Sequence, residues 1–192
     1  MKWSDLLLPF CCFCLSACQP DLGLADCERT PDMPTGLKMA HYRGATPACV
    51  PDGITLNVTE LQTLLQHPKP PVLIDVWAIL LRQEAGFPSV WLPNEAHESL
   101  PNAVWLPNVG YGELAPEIET YLQTNLQRLS GGDKHKPLVF FCVADCWMSW
   151  NTVQRVRRYG YTQVYWFKDG TDGWAEAGLP LEQATPVPMD AL

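Results

Sequence analysis

The chain has 192 residues, 47% hydrophobic and only 18% charged, enough apolar material for one domain-sized core plus a targeting or linker segment. Its net charge of −8 excludes a phosphate-binding face, so no nucleic acid is expected as a partner. Eighteen prolines and eight tryptophans point to stiff, proline-bounded loops and aromatic packing.

Residues 1–18 begin MKWSD, continue through the apolar LLLPFCCFCLSA and end on Cys18. The stretch is too short to span a bilayer as a mature helix and reads as an export signal. Its end, Leu15-Ser16-Ala17-Cys18, resembles the lipobox of bacterial lipoprotein signals. That resemblance implies cleavage before Cys18 and a lipid anchor on its sulfur. Gln19 then implies sorting to the outer membrane of a diderm bacterium. Ordinary cleavage after Gly23-Leu24-Ala25, giving a soluble periplasmic protein, is the alternative.

Export takes Cys11, Cys12 and Cys14 away with the signal and leaves Cys27, Cys49, Cys142 and Cys146. In an oxidising compartment these allow three disulfide connectivities, and proximity in sequence favours Cys27–Cys49 and Cys142–Cys146. The first would be a structural staple in the proline-rich segment, contributing about 3 kcal/mol.

Residues 19–53 contain Pro20, Pro31, Pro34, Pro47 and Pro51 and read as a tether and docked arm. Ile54–Leu56 is a short strand. Thr59 as N-cap with Gln62 three positions on makes a capping box for a helix ending near Gln66, before Pro68. Pro71–Trp77 is an apolar run of buried parallel-strand type. Residues 78–100 read as an extended loop, and 103–107 as the next strand. Trp-Leu-Pro-Asn occurs at 91–94 and again at 105–108, a repeat short enough to be coincidence or paired edge packing.

Leu114–Leu129 is a helix with Pro116 in its first turn and Gly131 after its end. Leu138–Cys142 is a buried strand, and residues 146–159 form a helix closed by Gly160. Arg155, Arg157 and Arg158 suit the outer face and last turn of that helix. Val164–Phe167 is a strand, and Gly170–Trp174 opens a last helix that Gly178 ends. Strands alternate with helices, which predicts a three-layer α/β domain over residues 54–182. Its central sheet is mainly parallel and flanked by helices, and residues 183–192 form a C-terminal tail. Chemistry in such sheets sits outside the carboxyl ends of the strands, where Cys142 lies.

The order of these segments resembles the rhodanese-like domain. The matching stretches include Thr59-Glu60-Leu61, Leu73-Ile74-Asp75-Val76, the segment from Pro101 to Pro107, and Leu138–Cys142. Gly160–Val164, Asp169–Trp174 and Ala177-Gly178-Leu179-Pro180 complete the series. More narrowly, the segment from Phe141 to Asn151 is similar to the signature of the PQQ-dependent-catabolism-associated CXXCW motif proteins, here spaced Cys-x-x-x-Cys-Trp. Genes of that group lie near PQQ-dependent alcohol dehydrogenases and c-type cytochromes. The resemblance therefore implies a partner in a PQQ-dependent dehydrogenase or cytochrome c system. The chain itself has no haem Cys-x-x-Cys-His and no propeller pattern, and no cofactor is expected.

In rhodaneses the strand-end cysteine carries sulfur, and the loop backbone with the next helix N-terminus stabilises its anion. By that resemblance Cys142 is the nucleophile, with Val143, Ala144, Asp145 and Trp147 forming the anion-stabilising loop. Asp75 and Trp77 line the cleft, Asp75 mainly as a bond to loop backbone. Asp145 is also placed to cap the following helix. Cys146, one helical turn away, is a resolving thiol for disulfide exchange or for release of sulfur from a persulfide. Partners are then a sulfur donor or acceptor, or a partner-protein thiol. Trp147 and Trp77 stand where the family usually has arginines, so the mouth is expected to be uncharged and to bind an inorganic dianion poorly. A non-catalytic binding module with a Cys142–Cys146 staple, and Cu(I) delivery by two thiolates, are the alternatives. The four histidines, His41, His67, His97 and His135, are scattered and read as loop or surface residues, so no metal site is assigned.

Overall fold

The computed structural model describes residues 27–31 and 33–189; the expected export signal with Cys18 and the last three residues lie outside them. Strand β1 (Ile54–Leu56) leads through α1 (Val58–Leu65) to β2 (Val72–Asp75). Three short strands follow, β3 (Leu80–Arg82), β4 (Val90–Leu92) and β5 (His97–Ser99), and then β6 (Val104–Trp105). Helix α2 (Pro116–Ser130), β7 (Leu138–Phe141), α3 (Trp147–Arg158), β8 (Val164–Phe167), α4 (Gly170–Glu176) and β9 (Glu182–Ala184) complete the order.

Five strands form one sheet in the order β1-β8-β7-β2-β6, and each neighbouring pair is parallel. The apolar runs of β7 and β8 follow from burial on both faces, because strand side chains alternate. Leu138, Phe140 and Trp166 face a core shared with α2 and α3, through Leu122, Leu126 and Val153. Val139, Phe141 and Phe167 face a second core with Leu61 of α1 and Trp174 of α4. The expected three-layer architecture is the one observed. Helix α2 has Pro116 at its start and a left-handed Gly131 at its end, as its sequence predicts.

Several local expectations are corrected. Helix α1 is capped by Asn57, not Thr59: Asn57 Oδ1 accepts from Glu60 N at 3.0 Å, and Glu60 Oε2 accepts from Asn57 N at 2.8 Å. Asparagine outranks threonine as an N-cap, so the helix starts one position before Thr59. Residues 78–100 are not an open loop. β3 and β4 pair as an antiparallel hairpin, and β5 pairs with β9. The two tryptophans of the repeat meet the same residue: Trp91 Nε1 donates to Val187 O at 2.9 Å, and Val187 N donates to Trp105 O at 3.0 Å. Arg155 is not on an outer face; it is 7% exposed and donates to the carbonyls of Val109, Tyr111 and Gly112.

Candidate functional site

Strand β7 ends at Phe141, Cys142 is the next residue, and Cys146 is the N-cap of α3. The loop between them turns sharply enough to bring the two sulfurs to 2.8 Å, with the Cys142 thiol donating to Cys146 Sγ. Both cysteines are free, and they are only 1% and 2% exposed. The turn uses a left-handed Asp145, with φ of 53°. A second clamp is Gly170, at φ +59°, where a Cβ would lie 2.3 Å from Cys142 O. Only a glycine permits that approach, and the next amide, Thr171 N, donates to Cys142 O at 2.9 Å.

Burial pushes the Cys142 thiol well above its ordinary value of 9.0, and the neighbouring Cys146 and the Asp75 carboxylate push the same way. Cys146 is driven down, to about 7, first by the Cys142 thiol donating to it and then by the Met148 amide and Arg43. Cys146 makes no closed capping hydrogen bond, so the amide acts on its sulfur as a nearby dipole. The pair is therefore polarised as a buried thiol on Cys142 donating to a sulfur on Cys146 that favours charge.

Two of the loop amides are already engaged. Trp147 N donates to Tyr42 O at 2.8 Å, and Ala144 N donates to Asp172 Oδ2 at 3.2 Å. Asp145 does not cap α3; its carbonyl accepts from Gly44 N at 2.9 Å and its carboxylate from Thr46 N at 3.4 Å. The partner in most of these bonds is the segment 38–46 of the arm, which lies along the loop with Arg43 and Cys146 as an antiparallel bridge. Arg43 donates to Ala144 O at 2.8 Å and sits 5.9 Å over the Trp77 ring, while Lys38 sits 4.8 Å over Trp147. The expected uncharged mouth is thus corrected: two arm cations stack on the two tryptophans. Trp147 is 7% exposed and packs edge-on against Trp150, so its ring presents little surface to a partner.

The arm is stapled within itself by a disulfide and anchored to α3. Cys27 and Cys49 are joined by a disulfide with Cα atoms 5.6 Å apart, and Trp150 Nε1 donates to Cys49 O at 3.2 Å. Asn151, fully buried, accepts from Lys38 N and donates to Lys38 O, both at 2.8 Å.

Asp75 lies beneath the cleft instead of lining it, since it is fully buried. Its carboxylate bonds Trp77 N at 2.9 Å, Ser99 Oγ at 2.6 Å and His97 Nε2 at 2.7 Å. His97 is therefore not a stray surface histidine. Its ring lies against Trp77 and Trp105, on the wall of a cavity of about 340 Å3 that also reaches Trp77, Val143 and Thr171. Larger depressions lie elsewhere; one of about 500 Å3 is at the far end of α3, near Tyr159 and Tyr161. Among the described residues no group of three or more His, Cys, Asp or Glu side chains gathers as a metal site.

Sequence reasoning placed Cys142, Cys146 and Trp77 at one mouth and missed Arg43, Tyr42, Asn151 and His97. The signal for Arg43 was its position in an arm already stapled at Cys27–Cys49, but nothing local indicates what that arm covers.

Solved structures are similar to the chain at low identity. The polysulfide-sulfur transferase of Wolinella succinogenes is 24% identical over 68% of this chain and 79% of that one, with a TM-score of 0.45. A thiosulfate sulfurtransferase from Pseudomonas aeruginosa is 21% identical over 70% of this chain and 21% of that one, at 0.46. EanB bound to hercynine is 17% identical over 70% of this chain and 32% of that one, at 0.44. No curated protein sequence matches the chain. The family model for the rhodanese-like domain matches residues 57–177, nearly the whole sheet and its helices, and the chain belongs to that family.

Proposed function

We propose that this chain is an exported thiol protein that carries sulfur or exchanges disulfides through Cys142 and Cys146. The observation that carries this reading is the pair itself: two free thiols 2.8 Å apart where a parallel strand meets a helix N-terminus. With a persulfide donor, one thiolate of the pair attacks the sulfane sulfur. A new S–S bond forms on the cysteine, and the donor departs as its thiol. The second cysteine then attacks the first cysteine's own sulfur. The Cys142–Cys146 disulfide forms, and the sulfane sulfur leaves as sulfide with the proton. The pair loses two electrons and the sulfane sulfur gains them. A partner-protein dithiol returns the pair to its reduced state by exchange. A protein disulfide as electrophile would use the same two steps.

The setting proposed is PQQ-dependent alcohol oxidation, with a PQQ-dependent dehydrogenase or cytochrome c system as partner and an outer-membrane anchor through Cys18. The likeness of the Phe141–Asn151 segment and of the Leu15–Cys18 lipobox supports it. The test is the double variant Cys142→Ser, Cys146→Ser in the producing bacterium, scored for growth on an alcohol. Growth is expected to fail while protein level stays normal; full growth would contradict the thiol mechanism. A second reading has its own observation: both sulfurs are buried, as those of a structural staple would be. A staple would leave alcohol growth intact in the same double variant whenever the fold survives.

A further inference from the structure

We infer that residues 38–46 of the N-terminal arm are a strap that shuts the thiol pair, so that a sulfur compound reaches Cys142 and Cys146 only when the strap lifts off their loop. This deepens the thiol reading and rests on it.

Cys142 and Cys146 are only 1% and 2% exposed, so no donor meets either sulfur until a covering segment moves. The strap covers the loop residue by residue. Tyr42 O accepts from Trp147 N at 2.8 Å, Arg43 bridges Cys146 in antiparallel fashion, and Gly44 N donates to Asp145 O at 2.9 Å. Three successive strap residues thus register on three successive loop residues. Trp147 opens α3, so its amide is one of the donors that a helix leaves unpaired. Tyr42 O occupies that amide, and an incoming anion can take it only by displacing the strap.

The ends of the strap are fixed and its middle is not. Asn151 grips both backbone groups of Lys38, and past the other end Pro47 and Val50 are buried and Cys49 is joined to Cys27. Between them Met39, His41, Arg43 and Gly44 are exposed, so few apolar contacts oppose local opening. His41 at φ 54° and Gly44 at φ 144° flank the Tyr42–Arg43 contact, and His41 carries the strain of a side chain at positive φ. The strap also precedes residues 57–177, so the domain shared with the family does not include it.

The test is alkylation of the pair by iodoacetamide in the full chain, with Cys27–Cys49 joined and Cys142 and Cys146 reduced, read by peptide mapping beside urea unfolding. Wild-type alkylation is expected to be slow and nearly independent of urea below the unfolding transition, because lifting a strap exposes little surface. Gly44→Ala puts a side chain into a backbone conformation that side chains rarely adopt, with nothing near the added methyl group to clash. It should speed alkylation of the pair about tenfold while the urea midpoint barely moves. Tyr42→Phe, which loses the bond from Gly112 N to the Tyr42 hydroxyl, should act in the same direction more weakly. Rates unchanged in both variants, or raised only as far as the urea midpoint falls, would overturn the inference. Sulfur uptake from a persulfide donor is read separately. Faster alkylation of variants that take up no sulfur supports the strap while the thiol reading fails, and uptake with unchanged alkylation sinks the strap alone.

Discussion

Asp75 has no exposed surface, yet it keeps three hydrogen bonds to Trp77 N, His97 and Ser99. A carboxyl group is tolerated in such a place only when its lone pairs are satisfied. Asp75→Ala would leave the Ser99 hydroxyl and the Trp77 amide buried without a partner, at a cost of about 3 kcal/mol. Urea unfolding should show a lower midpoint at an unchanged slope. Gly170→Ala places a methyl group against Cys142 O at a left-handed position, and is expected to cost about 2 kcal/mol and to change thiol reactivity together. Limited alkylation beside thermal melting checks both effects. The thiol pair gives a pH dependence with a defined sign. Cys146 is lowered in the fold from 9.0 to about 7, so its contribution is complete above pH 9 and fades as pH falls toward 7. The raised Cys142 works against the fold only above its own ordinary value. The reduced protein should therefore gain stability from pH 7 to 9, and the disulfide form should not; melts of the two forms across that range compare them.

At the scale of elements, the arm is the part that most changes the site. Its disulfide joins residues 22 apart and should contribute about 3 kcal/mol by restricting the unfolded chain. Cys27→Ser with Cys49→Ser is expected to lower the melting temperature, open residues 38–46 to proteolysis and speed alkylation of both loop cysteines. Unchanged alkylation in that variant would mean that the arm stays seated without its staple. The long apolar strands were legible in the sequence because burial on both faces leaves a continuous hydrophobic run, as in Val72–Asp75 and Leu138–Phe141. The hairpin of β3 and β4 was not. Each strand has three residues, and Leu80 and Val90 remain exposed, so no alternation marks an inner face. The β5–β9 pair and the arm-on-loop bridge join residues far apart in sequence, and local periodicity contains no information on such pairing.

At the scale of the whole molecule, residues near both ends of the described chain close over the carboxyl end of the sheet and its edge. Val187 bonds Trp91, Trp105 and Tyr121, and β9 supplies the partner of β5, which carries His97. Removing residues 182–192 strips three hydrogen bonds worth about 1 kcal/mol each and also exposes the β5 edge. The truncated chain should unfold at a clearly lower denaturant concentration and lose the His97–Asp75 contact. The two thiols were legible because their spacing and strand-end position are local. The arm that covers their loop was not, because residues 42–44 meet residues 145–147 only through the assembled fold. The most direct test of the thiol account is intact mass of the reduced protein before and after a persulfide donor, with mapping of residues 138–155. The account predicts loss of two hydrogens across Cys142 and Cys146 with one sulfide released per chain, and one added sulfur retained on the attacking cysteine when its partner is replaced by serine. A reduced protein whose mass does not change, with no sulfide released, would contradict it.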